Sequence, residues 1–213
     1  MTDAAHPLTV ALRESLVRVV TPSVLLLGLG NGRNLPPLLS GAVRVDALDE
    51  DATRTASIRE RFGSEPGLRL VAQAYDAPLP FRGPYAGALS THALLHGSPE
   101  RVRTALRNVA AVLSEGAPLH VVLGSRADPR YGLGLSLGDG VFAARAGSEA
   151  GVPHVYFDEA GVRDVLDAFE IVSLEQSSGA QTAGRWAHSA DESERIVHWF
   201  VRARKRATVQ DGA

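Results

Sequence analysis

Apolar runs alternate with amphipathic segments between residues 8 and 123. Continuous apolar runs are typical of strands buried on both faces of a sheet, and apolar residues at a spacing of three or four indicate helices. The predicted strands are 24–28, 42–48, 68–73, 86–90 and 118–123, and the predicted helices are 8–20, 31–40, 51–62 and 99–113. This alternation predicts an α/β fold, with a doubly wound, mostly parallel sheet and helices on both faces.

The pattern changes after residue 123. Residues 124–153 contain seven glycines and no strong periodicity, which predicts a long glycine-rich loop inserted in the fold. A loop of this length in a compact domain is usually a functional lid or a disordered insert, and we interpret this one as a lid. A helix is predicted at 158–168 and strands at 169–175 and 195–202, and the polar segment 176–191 is predicted to be a mobile hairpin loop.

Composition limits the function classes. The chain has 213 residues, of which 45% are hydrophobic, and we expect one domain over 1–213, with a leading helix at 8–20. The net charge of −2 gives no field that favours nucleic acid or an anionic membrane. The basic run 202–206 is interpreted as a solvated strand and tail, with a nucleic-acid tail as the alternative.

Missing residue types exclude some chemistry. There is no cysteine, which excludes disulfides, thiolate metal ligands and cysteine nucleophiles. Lys205 is the only lysine and lies in the predicted tail, which disfavours a buried Schiff base. No apolar run reaches the length of a membrane span. We expect a cytoplasmic protein that binds neither nucleic acid nor membrane, with a homo-oligomer left possible.

Three glycines at alternate positions follow the first predicted strand: Gly28, Gly30 and Gly32. Without a Cβ, this backbone can turn sharply and let a ligand approach its peptide groups. A dinucleotide-binding G-x-G-x-x-G would need glycine where Arg33 stands. Asp49 follows at the end of the second strand, and the glycine loop with this carboxylate predicts a cofactor site on a doubly wound sheet.

The string G-x-G-x-G at 28–32 resembles motif I of the class I S-adenosylmethionine (SAM) methyltransferases, although Leu27 and Leu29 depart from the usual motif. Residues 45–49 resemble the second strand of that family, and 74–81 resemble its D-A-x-x-L-P-F segment. The resemblance implies a Rossmann-like methyltransferase fold that closes with an antiparallel C-terminal strand pair, and SAM as cofactor. It also implies that the glycine loop holds the methionine part, Asp49 the ribose, and Asp76 with the Ala77 N–H the adenine.

Histidines are the candidate catalytic residues, because their side chains titrate near neutral pH. His92 and His96 follow strand four, and their spacing would place both on one face of a helical turn. They could bind or deprotonate the acceptor, or cap and pack the fold. The pair lacks the glutamate of H-E-x-x-H, so a metal site would need a third ligand from elsewhere in the chain, and we predict no metal site.

His154 alternates with Tyr156 in an extended segment, so both should face one side. We interpret this pair, together with Asp128, Arg130 and Tyr131, as the roof of the acceptor pocket, with a structural hairpin edge as the alternative. His120 and His198 are expected to pack in the core.

These features predict a SAM-dependent methyltransferase that acts on a small molecule, with His96, His92 and His154 near the acceptor. Two alternatives stay open: a SAM-binding protein that catalyses another reaction, such as a cyclisation, and a non-catalytic SAM sensor or scaffold. A nicotinamide enzyme is disfavoured by Arg33.

Overall fold

The computed structural model describes residues 4–40, 43–147, 149–178 and 196–207. Its main sheet has seven strands in the order β3-β2-β1-β4-β5-β10-β9. The first five pair in parallel, and β10 lies antiparallel between β5 and β9. The strands are β1 (Ser23–Leu27), β2 (Arg44–Asp49), β3 (Leu68–Ala72), β4 (Gly87–Ser90), β5 (Pro118–Gly124), β9 (Phe169–Ser178) and β10 (Val197–Lys205). The doubly wound, mostly parallel sheet with its antiparallel C-terminal pair is confirmed.

Helices cover both faces of this sheet, as predicted. They are α1 (Pro7–Ser15), α2 (Leu35–Leu39), α3 (Ala52–Phe62), α4 (Pro99–Val112) and α5 (Glu159–Val165). Alternate residues of β1 enter separate cores: Leu25 packs in the core that includes α4 and α5, and Leu26 packs in the core that includes α1 to α3. A strand buried in this way needs apolar residues on both faces, which explains its continuous apolar run.

Local capping sets the start of three helices. The side chains of Asp51, Ser98 and Asp158 each accept a hydrogen bond from a backbone N–H in the first turn of α3, α4 and α5. An acceptor at this position satisfies a donor that has no partner within the helix.

Three helices are shorter than predicted, and one of them, α5, covers Glu159–Val165 rather than 158–168. The leading helix ends at Ser15 rather than at 20, and Val17 and Val20 beyond it are exposed. The first crossover helix was predicted from 31 but begins at Leu35. Gly32 has φ +84°, a conformation that a right-handed helix does not contain, so the helix can start only after it.

Residues 124–153 do not form one long loop, so this part of the prediction was wrong, and their role as a lid stays a prediction. This segment contributes a small antiparallel sheet of β6 (Leu135–Gly138), β7 (Val141–Ala143) and β8 (Pro153–Val155). The turn between β6 and β7 is formed by Gly138, Asp139 and Gly140, all with positive φ. The glycines therefore make a tight hairpin rather than a loop.

The C-terminal elements extend further than predicted. β9 continues to Ser178, and the rest of the predicted hairpin loop at 176–191 lies outside the described residues. β10 continues to Lys205, so most of the basic run belongs to a strand whose Arg202 and Arg204 side chains are exposed. No helix in the described part of the chain has the length and apolar character needed to cross a membrane.

Candidate functional site

A cavity of about 620 Å³ lies beyond the carboxyl ends of β1, β2 and β4. This position follows from the topology, because ligands of open α/β sheets bind where the strand order reverses, here between β1 and β4. The lining residues come from the glycine loop, the end of β2, the segment after β4 and the small sheet: Gly28, Leu29, Gly30, Asn31, Arg33, Asn34, Asp49, Glu50, Asp51, Arg54, Tyr75, Thr91, His92, Ala93, Leu95, His96, Arg130, Glu149, His154 and His198.

The glycine loop presents backbone to this cavity at Gly28 and Gly30. A Cβ on Gly28 would lie 2.7 Å from the Cβ of Ala93, whereas a Cβ on Gly30 would meet nothing within 4 Å. Gly32 is not part of the lining; a Cβ there would lie 2.9 Å from Cδ1 of Ile58 on α3. The loop therefore leaves room for a ligand at Gly30 and packs tightly at its two ends.

Asp49 lies in the cavity wall but is almost fully buried. Its Oδ2 accepts the Leu29 N–H at 2.7 Å, and its Oδ1 accepts the Asp51 N–H at 2.9 Å and Nη1 of Arg54 at 2.8 Å. A carboxylate offers about four acceptor positions. Groups in the described part of the chain fill three of these positions, which leaves one, on Oδ2.

Glu50 also lines the cavity, and the sequence analysis missed it. Its Oε1 accepts the Tyr75 N–H at 3.0 Å and pairs with the guanidinium of Arg101. The signal was present in the sequence, because Glu50 directly follows the strand-ending Asp49. Burial raises the pKa of the neighbouring Tyr75, and the nearby Asp49 carboxylate raises it further, so this phenol stays neutral.

Asp76 and Ala77 are close to the cavity but are not part of its lining. Oδ1 of Asp76 accepts Nε of Arg101 at 3.1 Å, and Nδ2 of Asn108 donates to the carbonyls of both Asp76 and Ala77. The Ala77 N–H donates to Ala74 O at 3.3 Å. Arg101 thus joins Asp76 to Glu50, and the adenine roles of Asp76 and Ala77 stay predictions.

His92 and His96 do not share a helical face, so this part of the prediction was wrong. A 3₁₀ turn at Ala93–Leu95 separates them, and His96 is extended. The ring of His92 lies 5.8 Å from that of His198 and 5.5 Å from that of His6. Both His92 and His96 still line the cavity, in separate clusters.

Asn34 joins the cavity lining to His6, whose ring lies next to that of His92. Asn34 lines the cavity, its Oδ1 accepts the His6 N–H at 3.0 Å, and its Nδ2 donates to Oγ1 of Thr91 at 3.2 Å. Burial, the positive charge of Arg33 and the nearby His198 together lower the pKa of His6 to about 3, and burial is the largest of these causes. The His6 ring is therefore neutral at neutral pH.

His96 meets His154 across the cavity. Their ring centres are 4.6 Å apart, with the ring planes at 87°, and Nε2 of His154 lies 3.2 Å from Oε2 of Glu149. Burial lowers the pKa of His96 to about 4, with a smaller contribution from His154. A histidine with this pKa carries a free lone pair at neutral pH and is a weak proton acceptor.

A second cavity of about 300 Å³ adjoins the first. Arg130, Glu149 and His154 belong to both linings, and Phe142 and Tyr156 belong only to the second. His154 and Tyr156 therefore face one space, as the alternation predicted. His120 and His198 are buried, as expected, although His198 also lines the first cavity.

No protein-family model matches the sequence, and no curated protein is significantly similar to it. Solved structures do share its fold. A SAM-dependent methyltransferase from Methanosarcina mazei is 18% identical, with a TM-score of 0.71 over 87% of this chain and 93% of that one. The 1,6-didemethyltoxoflavin-N1-methyltransferase of Burkholderia thailandensis, which holds S-adenosylhomocysteine, is 20% identical, with a TM-score of 0.66 over 94% of this chain and 77% of that one.

The [4+2]-cyclase SpnF is 16% identical, with a TM-score of 0.65 over 94% of this chain and 81% of that one. The chain therefore has the Rossmann-like fold of SAM-dependent methyltransferases, which confirms the predicted fold. At these identities the likeness concerns the fold, and the reaction has to be argued from the site.

Proposed function

We propose that this chain is an enzyme that transfers a methyl group from SAM to a small-molecule acceptor. The observation that carries the proposal is the cavity at the strand ends, where the open backbone of Gly30 and the acidic pair Asp49 and Glu50 line one space. This arrangement suits a ligand with an amino-acid part at one end and a ribose at the other. The methyltransferase fold supports the same cofactor.

The ribose would be held by two acidic residues rather than one. Asp49 has one acceptor position left, on Oδ2, because three N–H donors of the protein fill the others. A vicinal diol has two hydroxyl donors. Glu50, the next residue and part of the same wall, is our candidate for the second hydroxyl.

The acceptor would occupy the second cavity, beyond Arg130, Glu149 and His154. Phe142 and Tyr156 give this space an aromatic wall, and the Tyr131 ring packs 5.2 Å from Phe142 and 5.7 Å from Tyr156. Such a wall suits the flat apolar body of a small molecule. The volume of about 300 Å³ also favours a small acceptor over a macromolecule.

The chemistry is a direct displacement. The acceptor's nucleophilic atom forms a bond to the methyl carbon as the carbon–sulfur bond breaks, and sulfur keeps the electron pair and becomes a neutral thioether. The proton of the acceptor leaves to water. The protein's part is to align the reactants and limit water, and His96 and His154 at the junction are placed to contact the acceptor.

The test is the formation of S-adenosylhomocysteine during turnover. The chain is incubated with SAM and pools of small aromatic hydroxyl or amine compounds, and products are identified by mass spectrometry. We expect S-adenosylhomocysteine and, in equal amount, an acceptor heavier by one CH₂ unit. An acceptor transformed without S-adenosylhomocysteine would instead establish the alternative of a SAM-binding enzyme for another reaction. Bound SAM with no conversion in any pool would contradict catalysis and favour a sensor or scaffold.

The cytoplasmic location and the lack of a nucleic-acid partner stay predictions from composition, and the oligomeric state stays open. The exposed Arg202 and Arg204 project from a strand near the edge of the sheet. Neither side chain is part of the cavity lining that carries the proposed activity.

A further inference from the structure

Three donor side chains converge where the two cavities meet. One ligand atom from each of His96, Glu149 and His154 lies within 4.8 Å of the other two, and within the described ranges no other three histidine or acidic residues are grouped in this way. His154 and Glu149 line both cavities, and His96 lines the first. Two histidines and one carboxylate are a ligand set that holds divalent transition metals in other proteins.

Backbone pairing fixes the two histidines against each other. His96 and His154 form an antiparallel bridge, supported by the Gly97 N–H, which donates to Pro153 O at 3.0 Å. Side chains of directly opposed residues in such a bridge lie on one face. His96 and His154 are distant in sequence, so the small sheet is what brings them together.

A backbone contact also orients the His154 ring. Its Nδ1 lies 3.0 Å from Val152 O, and since a carbonyl only accepts, Nδ1 must carry a proton. In the neutral ring Nε2 then holds the lone pair, 3.2 Å from Oε2 of Glu149. Two acceptors at this distance need a positive charge between them, either a proton or a metal ion. Metal-binding histidines typically donate their other N–H to a carbonyl in this way.

The spacing agrees with shared coordination. Two ligands at about 2.0–2.1 Å from a tetrahedral ion are separated by about 3.3 Å, close to the observed 3.2 Å. The His96 nitrogen would have to move closer by up to about 1.5 Å to complete such geometry. Rotation of its ring, which borders the open cavity, can supply this movement.

We infer that His96, Glu149 and His154 form a binding site for one divalent transition-metal ion such as Zn²⁺. Two imidazole ligands favour such an ion over Mg²⁺ or Ca²⁺, which prefer oxygen ligands. The predicted absence of a metal site rested on the His92–His96 pair and did not include Glu149 and His154. Three protein ligands leave at least one coordination position open, toward the space that both cavities share.

The open position gives the site a role that rests on the proposed function. A hydroxyl of the acceptor, bound there, would lose its proton to water more readily. Its oxygen would then form the new bond to the methyl carbon of SAM, as the carbon–sulfur bond breaks and sulfur keeps the electron pair. The inference thus points to an acceptor with a hydroxyl group that can reach the metal.

The test measures Zn²⁺ binding to the untagged, chelator-treated chain by calorimetry, with the visible absorption of bound Co²⁺ as a second readout. We expect one ion per chain. Glu149→Gln and His96→Asn should each weaken Zn²⁺ binding by at least about tenfold. His92→Asn is the matched control: it removes an imidazole from the same cavity lining but outside the cluster, and it should leave Zn²⁺ binding unchanged.

Circular dichroism of the metal-free variants checks that each one folds, and Glu149, which is partly exposed, can be changed with little effect on packing. No ion bound to the folded wild type, or equal binding by all variants, would overturn the inference. S-adenosylhomocysteine binding is measured on the same samples. If S-adenosylhomocysteine binds and Zn²⁺ does not, the metal site is contradicted and the proposed function stands. If Zn²⁺ binds and S-adenosylhomocysteine does not, the metal site stands and the proposed function is contradicted.

Discussion

The glycines after β1 differ in what they do, although all three have positive φ. Gly28 and Gly32 are needed because side chains of Ala93 and Ile58 come too close for a Cβ. Gly30 has open space on its Cβ side and lies in the cavity wall. Of the three, Gly30 is therefore the position where an added side chain would enter the ligand's space without disturbing the packing.

At the residue scale, we predict that His6 makes the fold sensitive to acid. Its pKa in the folded chain is about 3, compared with 6.5 for an ordinary histidine, so only the unfolded chain readily takes up a proton between these values. The neutral His6 ring therefore stabilises the fold fully above about pH 6.5. Below that pH, this stabilisation decreases by about 1.4 kcal/mol per pH unit. The free energy of unfolding should therefore decrease below neutrality.

The measurement is urea unfolding of the wild type and of His6→Asn at about pH 7 and about pH 5. Asparagine keeps a side-chain acceptor at the start of α1 but does not titrate. Between the two pH values, the free energy of unfolding should decrease by about 2 kcal/mol less in the variant than in the wild type. Equal losses in the two proteins would show that His6 is not the buried, neutral group described above.

The acidic residues of the site show which of their properties can be predicted from the sequence. The position of Asp49 was predictable, because it ends a strand and follows a recognisable loop. Its hydrogen bonds were not, because they depend on the Arg54 side chain and on the fold of the glycine loop. The same limit applies to Glu50, whose partners Tyr75 and Arg101 come from distant segments.

At the scale of elements, α1 packs on the sheet and contacts the cavity lining through His6 at its start. Leu12 is fully buried in the core that it shares with α2 and α3. Its Cδ1 lies 3.1 Å from the place where a Cβ on Gly87 of β4 would be, so the helix approaches the sheet closely. His6, at the start of the same helix, donates its N–H to Asn34 in the cavity lining.

We expect Leu12→Ala to lower the free energy of unfolding by about 2–5 kcal/mol, because it leaves a cavity between helix and sheet. Val10→Ala is the control on the same helix, since Val10 is 47% exposed and should change stability by less than about 1 kcal/mol. Urea unfolding followed by circular dichroism measures both variants. A similarly small decrease in the free energy of unfolding for both variants would mean that α1 does not pack on the sheet.

Elements were predictable where one periodicity runs through them, as in the continuous apolar run of β1 or the one-sided pattern of α4. The small sheet was missed because its strands have three or four residues, too few for a pattern to appear. The start of α2 was missed because the backbone angle of Gly32 sets it, and that angle depends on packing against α3.

At the scale of the whole molecule, topology brings together groups that the sequence keeps apart. The cavity position was predictable, because the carboxyl ends of parallel strands meet at one edge. The histidine clusters were not: His6 and His198 reach His92 from the two ends of the chain, and His154 reaches His96 through the small sheet. Such pairings depend on tertiary structure and leave no local pattern.

The most direct test of the account is calorimetric binding of S-adenosylhomocysteine to the wild type, Gly30→Asn and Gly116→Asn. Both glycines have positive φ and open space around a Cβ, and asparagine tolerates that conformation, but only Gly30 lies in the cavity wall. We predict one bound molecule per wild-type chain, at least tenfold weaker binding by Gly30→Asn (about 1.4 kcal/mol) and no change in Gly116→Asn. No binding by the folded wild type, or undiminished binding by Gly30→Asn, would contradict the assignment of this cavity to SAM.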